Sequence, residues 1–395
     1  MRICFVCDEY PPSRHGGIGV FTRVLARGLT AAGDEVRVAG CYPGSRREPD
    51  YEEDQGVRVW RQRTPNVRGG FVWARGRLFR LLRSWAKRGE VDLIEVPDYS
   101  GYAAYWPALP VPVVSRLHGS KTYFAIELGE PVDWKARWIE CASLRRSDSL
   151  VSTSRYTLDR TVEAFALAGM PAEVIYNFAE LPPPFGENCR KPYRVVFSGT
   201  LVPKKGIVSL IRAWPDVRRR CAHAVLDVYG KDATAKTGES MRRRIESMLD
   251  PEMRPSVRFH GHVTHDVLID ALRRAACCVL PSYAEAFSLA PIEAMSVGCP
   301  TVFSRRTSGP ELIENGRSGL LVDPDRPDEI ADAIIRLLRN AEFASRLGLA
   351  GMERVRRHFS KQTQLAANRD YFQRCIETFG SERRRYGRVA HESVA

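Results

Sequence analysis

The chain has 395 residues, more than one hydrophobic core usually supports and a natural size for two domains. Its hydrophobic fraction of 44% is ordinary for a globular protein, and no apolar stretch approaches the length of a membrane span. The formal net charge of +13 favours phosphorylated small molecules, anionic lipid or nucleic acid as partners and says little about the fold.

The first half of the chain alternates short apolar runs with helical patterns. The N-terminus is too short and too soon interrupted for a secretory signal, and ten cysteines follow no disulfide or zinc pattern. We therefore expect a cytoplasmic protein. A helix is predicted over 20–32, ended by Gly33. Strands without polar alternation, typical of a buried parallel sheet, are predicted at 3–6, 35–39, 91–96 and 111–117.

The run Leu181-Pro182-Pro183-Pro184 interrupts this alternation and predicts an extended linker over 181–192. A second series of strands follows at 194–197, 224–229, 257–259, 277–281 and 300–303, with helices at 327–340 and 362–379. The sequence thus predicts two doubly wound, Rossmann-like α/β domains facing across a cleft, with ligands beyond the carboxyl ends of the strands. The predicted parts are an acceptor-side domain (1–180), the linker, a donor domain (193–360), a helix packing back on the first domain (361–380) and a basic flexible tail (381–395).

The segment from Glu285 to Met295 carries the strongest functional signal. Pro291 suits the first residue of a helix that Gly298 ends, and the free amides at a helix N-terminus bind anions. Glu285 precedes this helix and Glu293 lies in its first turn, so two carboxylates flank the anion site. That pattern suits a diphosphate between two polyols. Taken alone, Glu293 could equally cap the helix and Glu285 could be solvated.

The segment resembles the E-x7-E motif of the retaining glycosyltransferases of family 4, which share the GT-B fold. Further stretches fit that family in order and spacing, and the resemblance covers nearly the whole chain: Glu9-Tyr10-Pro11-Pro12, Gly16-Gly17-Ile18-Gly19, Ser198 to Gly206, Gly298 to Val302, Ser308 to Ile313, and Gly319 to Val322. The resemblance implies transfer of a hexose-type sugar from a UDP- or GDP-linked donor, with retention, to a saccharide, lipid-linked or small-molecule acceptor.

The resemblance also implies roles for matching residues. Glu293 would hold the ribose hydroxyls of the nucleotide, and Glu285 would bind hydroxyls of the donor sugar. Lys205 would neutralise the departing diphosphate. The predicted donor site further includes Thr200, Lys204 and the backbone near Phe287, Ser288 and Leu289.

One position departs from the family, which usually carries an arginine where this chain has Thr200. We expect Lys204, Arg305 or Arg306 to compensate. The string Asp323-Pro324-Asp325 precedes a helix, where acidic residues and proline are routine, so we interpret it as structural. No metal is expected, and no cofactor besides the nucleotide-sugar co-substrate.

Six positions are predicted on the amino-terminal side. Gly16 and Gly17 let backbone approach a ligand, or form a tight turn, and no G-x-G-x-x-G fingerprint points to a nicotinamide cofactor. His118 ends a strand, and the family has a histidine beside the donor sugar at this position. The acceptor side is assigned to three residues that follow another strand: Glu95, Asp98 and Tyr99.

Ten Arg or Lys and no acidic residue lie between Val57 and Arg88. In the predicted helix from Arg77, the residues Leu78, Leu81, Leu82 and Trp85 share one face. That face either packs on the sheet or contacts an anionic membrane, so peripheral association with the inner face of a membrane stays open.

The interpretation is therefore a glycosyltransferase. Two alternatives remain: a nucleotide-sugar epimerase of the same fold, and a non-catalytic protein that binds saccharide or nucleic acid. The absence of a recognisable nucleic-acid module speaks against nucleic acid as a partner.

Overall fold

The computed structural model describes residues 1–13, 16–178, 190–234 and 238–392, with side chains as far as 381. Most of the predicted linker therefore lies outside the described residues. The strands, in chain order, are β1 (Arg2–Val6), β2 (Glu35–Pro43), β3 (Tyr51–Asp54), β4 (Val57–Thr64), β5 (Leu93–Pro97), β6 (Val113–Leu117), β7 (Ser149–Ser152), β8 (Ala172–Val174), β9 (Arg194–Ser198), β10 (Val225–Tyr229), β11 (Val257–Gly261), β12 (Cys277–Leu280), β13 (Thr301–Ser304) and β14 (Leu320–Val322).

The α-helices are numbered in the same way. They are α1 (Gly17–Ala31), α2 (Gly70–Lys87), α3 (Lys121–Glu127), α4 (Trp134–Arg146), α5 (Arg155–Phe165), α6 (Ile207–Arg220), α7 (Met241–Met248), α8 (His265–Arg274), α9 (Leu289–Ser296), α10 (Gly309–Leu312), α11 (Pro327–Arg339), α12 (Ala341–His358) and α13 (Lys361–Glu392).

The chain divides into two compact units, each with its own sheet. Unit 1 comprises residues 1–126, 131–177 and 364–395, and unit 2 comprises 127–130 and 178–363. The sheet of unit 1 has the order β3-β4-β2-β1-β5-β6-β7-β8, and that of unit 2 has the order β11-β10-β9-β12-β13-β14. All neighbouring strands are parallel except the pair β3–β4. The prediction of two parallel-sheet α/β units is confirmed.

In unit 1 the central strands are buried because their side chains are apolar on both faces. Strand β1 buries every residue after Arg2, and helix α1 ends before Gly33, whose φ of +89° suits a residue without a Cβ. Helix α13 belongs to the same unit: Phe372 is fully buried, 6.1 Å from the ring of Phe5. The backbone of α13 continues through Glu392, where the sequence predicts a flexible tail. The Glu- and Arg-rich composition of 382–385, without proline, explains this difference because these residues favour helix.

Within the described residues no helix is long and apolar enough to cross a bilayer.

Candidate functional site

Two residues predicted to act together meet in unit 2. Lys205 follows β9 and Glu285 follows β12, and their Nζ and Oε1 atoms form an ion pair. The Glu285 side chain is 8% exposed and that of Lys205 is 27% exposed, so the lysine still faces solvent while its partner is buried. Carboxyl ends of parallel strands are where ligands bind in such sheets. A cation and a carboxylate therefore lie together at the edge of the sheet where a ligand is expected.

The backbone positions this pair by close approach between two loops. Residues Pro203–Lys205 form a 3₁₀ turn that ends at Gly206, with φ of +73°. A Cβ on Gly206 would lie 1.8 Å from the carbonyl oxygen of Pro281, so a side chain has no room there. The Tyr283 N–H donates to the Lys204 carbonyl at 2.7 Å. These contacts bind the loop after β9 to the loop after β12.

Helix α9 begins directly beyond Glu285. Ser288 is its N-cap residue and Leu289 its first residue, so Pro291 is the third helical residue, two positions later than the sequence predicts. Proline fits there because the first N–H groups of a helix have no intrahelical partner. Phe287 and Ser288 are buried, and the ring of Phe287 lies 6.0 Å from that of Phe359. Gly298 has φ of +71° just after the helix, as expected for its end.

Glu293 is the fifth residue of α9, two positions further along the helix than predicted. Its Oε1 lies 3.3 Å from Nε2 of His265, the first residue of α8. The Glu293 side chain is 21% exposed and that of His265 is 59% exposed, so a carboxylate and an imidazole face solvent together. A polyol hydroxyl could bind both groups. His265 was not predicted. Its position four residues beyond the carboxyl end of β11 is the feature of the sequence that could have indicated it.

Thr200 and Lys204 lie beside Lys205 in the same loop. Thr200 is exposed, next to Gly199, whose carbonyl oxygen would be 1.8 Å from a Cβ on Gly230. Lys204 is half-buried, and burial lowers the pKa of its ammonium, while Glu285 acts against this change and Lys205 adds to it. A second cation therefore accompanies Lys205 despite the threonine at 200.

The arginines proposed as substitutes for the missing one already have carboxylate partners. Arg305 pairs with Glu329, and Arg306 pairs with Asp323 at 2.8 Å and with Asp325. This network agrees with a structural role for the Asp-Pro-Asp string. Of the three proposed substitutes, Lys204 is the one adjacent to Lys205 in the chain.

In unit 1 the glycine loop adjoins a carboxylate. Gly16 and Gly17 are exposed at the start of α1, and Glu9 accepts from the N–H of Gly16 at 3.1 Å and of Gly19 at 2.6 Å. Glu9 thus caps the helix end where the sequence predicts the approach of a ligand or a tight turn. This cap was not predicted, because nothing in the spacing of the sequence brings Glu9 to these amides.

His118 is held at the end of β6 by a buried carboxylate. The N–H groups of His118 and Gly119 donate to the two oxygens of Asp98, each at 3.0 Å. Burial raises the pKa of Asp98 to about 7. Burial, and then the nearby Arg116, lower the pKa of His118 to about 3, so its imidazole is neutral at neutral pH. The ring lies edge-on to Phe21 at 5.7 Å.

The residues assigned to the acceptor side have mainly intramolecular partners. Glu95 is 5% exposed and makes a two-pronged ion pair with Arg116, at 2.8 and 2.7 Å. Asp98 is fully buried. The hydroxyl of Tyr99 donates to Asp8 at 2.9 Å. For Glu95 and Asp98 these contacts favour a role in positioning the strand ends over direct acceptor contact.

Two family models match the chain. Residues 192–340 match the model described as glycosyl transferases group 1, and residues 15–181 match the model described as glycosyltransferase family 4.

Relatives of similar length cover nearly the whole chain. Glycogen synthase of Mycobacterium tuberculosis is 28% identical, over 93% of this chain and 93% of its own. A GDP-mannose-dependent phosphatidylinositol monomannoside mannosyltransferase of the same organism is 27% identical, over 94% and 97%. Among solved structures, sucrose-phosphate synthase from Thermosynechococcus elongatus superposes with a TM-score of 0.80 at 21% identity, over 95% and 99%. At this identity the structural similarity shows the fold alone.

Proposed function

Because the chain belongs to the family 4, or group 1, glycosyltransferases, we propose that it moves a hexosyl group from a nucleotide diphosphate-sugar to an acceptor hydroxyl. The observation that carries the proposal is the Lys205–Glu285 ion pair at the carboxyl ends of β9 and β12, directly before the N-terminus of α9. A nucleotide diphosphate-sugar calls for a cation and helix amides to bind its phosphates, and for carboxylates to bind its hydroxyls.

Charge develops on the diphosphate as the bond between the sugar C1 and the phosphate oxygen breaks and the oxygen takes the electron pair. The acceptor hydroxyl oxygen forms the new bond to C1, and its proton passes to the departing phosphate oxygen. Lys205 and the first amides of α9 stabilise that charge, with Lys204 as the second cation. Before the donor binds, Glu285 holds the Lys205 ammonium in place; with the donor bound, the carboxylate accepts from sugar hydroxyls. Glu293, with His265 beside it, binds the ribose hydroxyls. These steps use no metal, and the anomeric configuration is retained.

The donor is proposed to be UDP- or GDP-linked, and the acceptor a saccharide, a lipid-linked sugar or a small molecule. One relative is named as a GDP-mannose-dependent phosphatidylinositol monomannoside mannosyltransferase, which supports a GDP-linked donor and a lipid-linked acceptor. Another is named as a glycogen synthase, which supports a saccharide acceptor.

The proposal is tested with Glu285→Gln, which removes the negative charge and keeps the side-chain volume. We expect loss of nucleotide release by about a hundredfold or more, because Lys205 loses its partner and the sugar one of its acceptors. The measurement is release of UDP or GDP from a panel of nucleotide-sugars, preceded by a thermal-shift screen that identifies the bound nucleotide. The exposed Glu252→Gln in the same unit is the matched control.

Unchanged turnover in Glu285→Gln would contradict the proposed donor site. Conversion of the nucleotide-sugar into a new nucleotide-sugar, without free nucleotide, would instead establish an epimerase. The anomeric proton of the product, observed by NMR, distinguishes retention from inversion.

A further inference from the structure

The basic helix of unit 1 exposes a different surface from the leucine face that the sequence singles out. Leu78 and Leu82 are fully buried and Trp85 is 4% exposed, all in one core cluster with Cys4 and Ile94. That face of α2 therefore packs on the sheet and is not free to contact lipid. The exposed apolar residues lie at the other end of the helix.

The first turn of α2 presents three large apolar side chains to solvent. Phe71 is 46% exposed, Val72 73% and Trp73 48%. Single exposed hydrophobic residues are common, but three in succession at a helix start form a patch. Much of the surface of these three side chains is open to solvent in the described part of unit 1.

A second set of exposed aromatic residues lies on α4 and in the loop that follows β5. Tyr105 is 63% exposed, Trp134 70% and Trp138 60%, and the rings of Tyr105 and Trp138 lie 5.4 Å apart. We call these six residues, from both sets, the aromatic rim.

Contacts within unit 1 connect the two halves of the rim. The guanidinium of Arg75 lies 4.6 Å from the ring of Phe71 and also bonds the carbonyl of Ser100. Next in the chain, Gly101 packs so closely on α4 that a Cβ would lie 2.2 Å from Cγ2 of Ile139. The segment of residues 100–101 therefore contacts both α2, through Arg75, and α4, through Ile139.

Positive charge surrounds the rim. Arg77 lies 4.7 Å from the ring of Trp73, and Lys135 lies 5.5 Å from the ring of Trp134. Arg80 is exposed one turn further along α2. The nearest acid on the α4 side, Asp133, is already paired with Lys121 at 2.7 Å. Exposed aromatic residues with basic neighbours are typical of surfaces that lie at the headgroup level of an anionic bilayer.

We propose that the aromatic rim docks on the surface of an anionic phospholipid membrane. The tryptophan and phenylalanine rings enter the interfacial layer, and the arginines and Lys135 bind lipid phosphates. A saccharide chain can stack on the same rings, but it would not account for the exposed basic residues Arg77, Arg80 and Lys135. The inference does not depend on the donor site, since it concerns binding to a surface and not transfer.

The test uses the full-length protein and vesicles of phosphatidylcholine, with or without phosphatidylglycerol. We expect flotation with the anionic vesicles, reduced by salt, and none with the neutral ones. The double variants Phe71→Ser/Trp73→Ser and Trp134→Ser/Trp138→Ser should each weaken vesicle binding by about tenfold or more. Arg77→Glu/Arg80→Glu should weaken it by a similar factor, by charge alone.

The matched control is Leu349→Ser, which removes a 59% exposed leucine from unit 2 and should leave vesicle binding unchanged. Each variant is also checked for its melting temperature and for nucleotide release in the absence of vesicles. Both should match the wild type, because the rim takes no part in the donor site. The proposal is overturned if the wild-type protein ignores anionic vesicles, if the rim variants float as well as the wild type, or if soluble oligosaccharide binds the rim in place of lipid.

Discussion

At the scale of the residue, Thr200 is the position where the chain differs from its family. It is exposed in the loop that carries Lys204 and Lys205, so a longer cationic side chain can be accommodated there. We expect Thr200→Arg to raise the rate of nucleotide release by about tenfold, because a further cation, added to Lys205 and Lys204, stabilises the departing diphosphate. Thr200→Gln is the uncharged control, and steady-state kcat is the measurement.

The complementary variant is Lys204→Met, which should lower the same kcat by about tenfold if Lys204 supplies the second cation. The two changes combined should return the rate towards that of the wild type. A wild-type rate in Lys204→Met would show that the cation at 204 does not compensate for Thr200.

His118 gives a prediction on pH. Its pKa is lowered to about 3 in the folded chain, so between about pH 6.5 and 3 the unfolded chain binds more protons. The contribution of neutral His118 to the free energy of unfolding is therefore complete above pH 6.5 and is lost as the pH falls below that value. We expect the free energy of unfolding to fall with pH less steeply in His118→Asn, the difference being at most about 1.4 kcal/mol per pH unit.

Urea unfolding at several values between pH 7 and 4.5 measures these slopes. The exposed His223→Asn should follow the wild type. Parallel slopes for the wild type and His118→Asn would contradict the assignment of a neutral imidazole.

Side-chain partnerships were the part of the site that could not be predicted. The sequence indicates Lys205 and Glu285 separately through the family motifs, yet their ion pair spans 80 positions and follows from the fold. The same holds for Glu9 at the start of α1 and for Asp8, which accepts from both Tyr99 and Tyr102. Motifs identify residue types, whereas a partner far along the chain depends on which strands become neighbours.

At the scale of the element, the buried central strands were predictable because both of their faces are apolar. Strand β4 was missed because three of its eight residues are arginine. Strand β3 was missed because its sequence is largely acidic, and its order comes from antiparallel pairing with β4. Strands β8 and β14 have three residues each, too few for a periodic pattern. Edge strands depend on pairing more than on composition.

Gly206 provides the test at this scale, because it combines a positive φ with backbone contact to Pro281. We expect Gly206→Ala to lower the free energy of unfolding by about 3 kcal/mol or more, and to lower nucleotide release by displacing Lys205. Gly316→Ala is the matched control, with φ of +77° and nothing within 4 Å of an added Cβ. It should cost about 1 kcal/mol, from the backbone conformation alone. Equal losses in the two variants, measured by chemical denaturation, would show that the contact with Pro281 is unimportant.

At the scale of the whole molecule, the last helix returns to the unit formed by the first residues of the chain. Asn368 accepts from Arg116 at 2.6 Å, and Arg369 pairs with Asp34 at 2.8 Å. Tyr371 bonds Ser149 at 2.8 Å, and Phe372 is fully buried. Unit 1 therefore needs both ends of the sequence, although its sheet is complete by residue 174.

Truncation after Thr363 should accordingly destabilise unit 1. It removes Phe372 from the ring of Phe5 and Arg369 from Asp34, and it leaves the buried Arg116–Glu95 pair without Asn368. Two compact units can unfold in separate transitions. We expect calorimetry of the truncated chain to show the unit 1 transition lowered by about 10 °C or more, since losing several buried contacts exceeds a single-residue change. The unfolding transition whose temperature the bound nucleotide raises, assigned to unit 2, should persist.

Truncation after Gly380 is the control and should melt like the full chain, because the described buried contacts of α13 lie before it. A 1–363 chain with an unchanged melting profile would mean that α13 contributes nothing to unit 1, and that the contacts of Asn368 and Phe372 are replaceable by solvent.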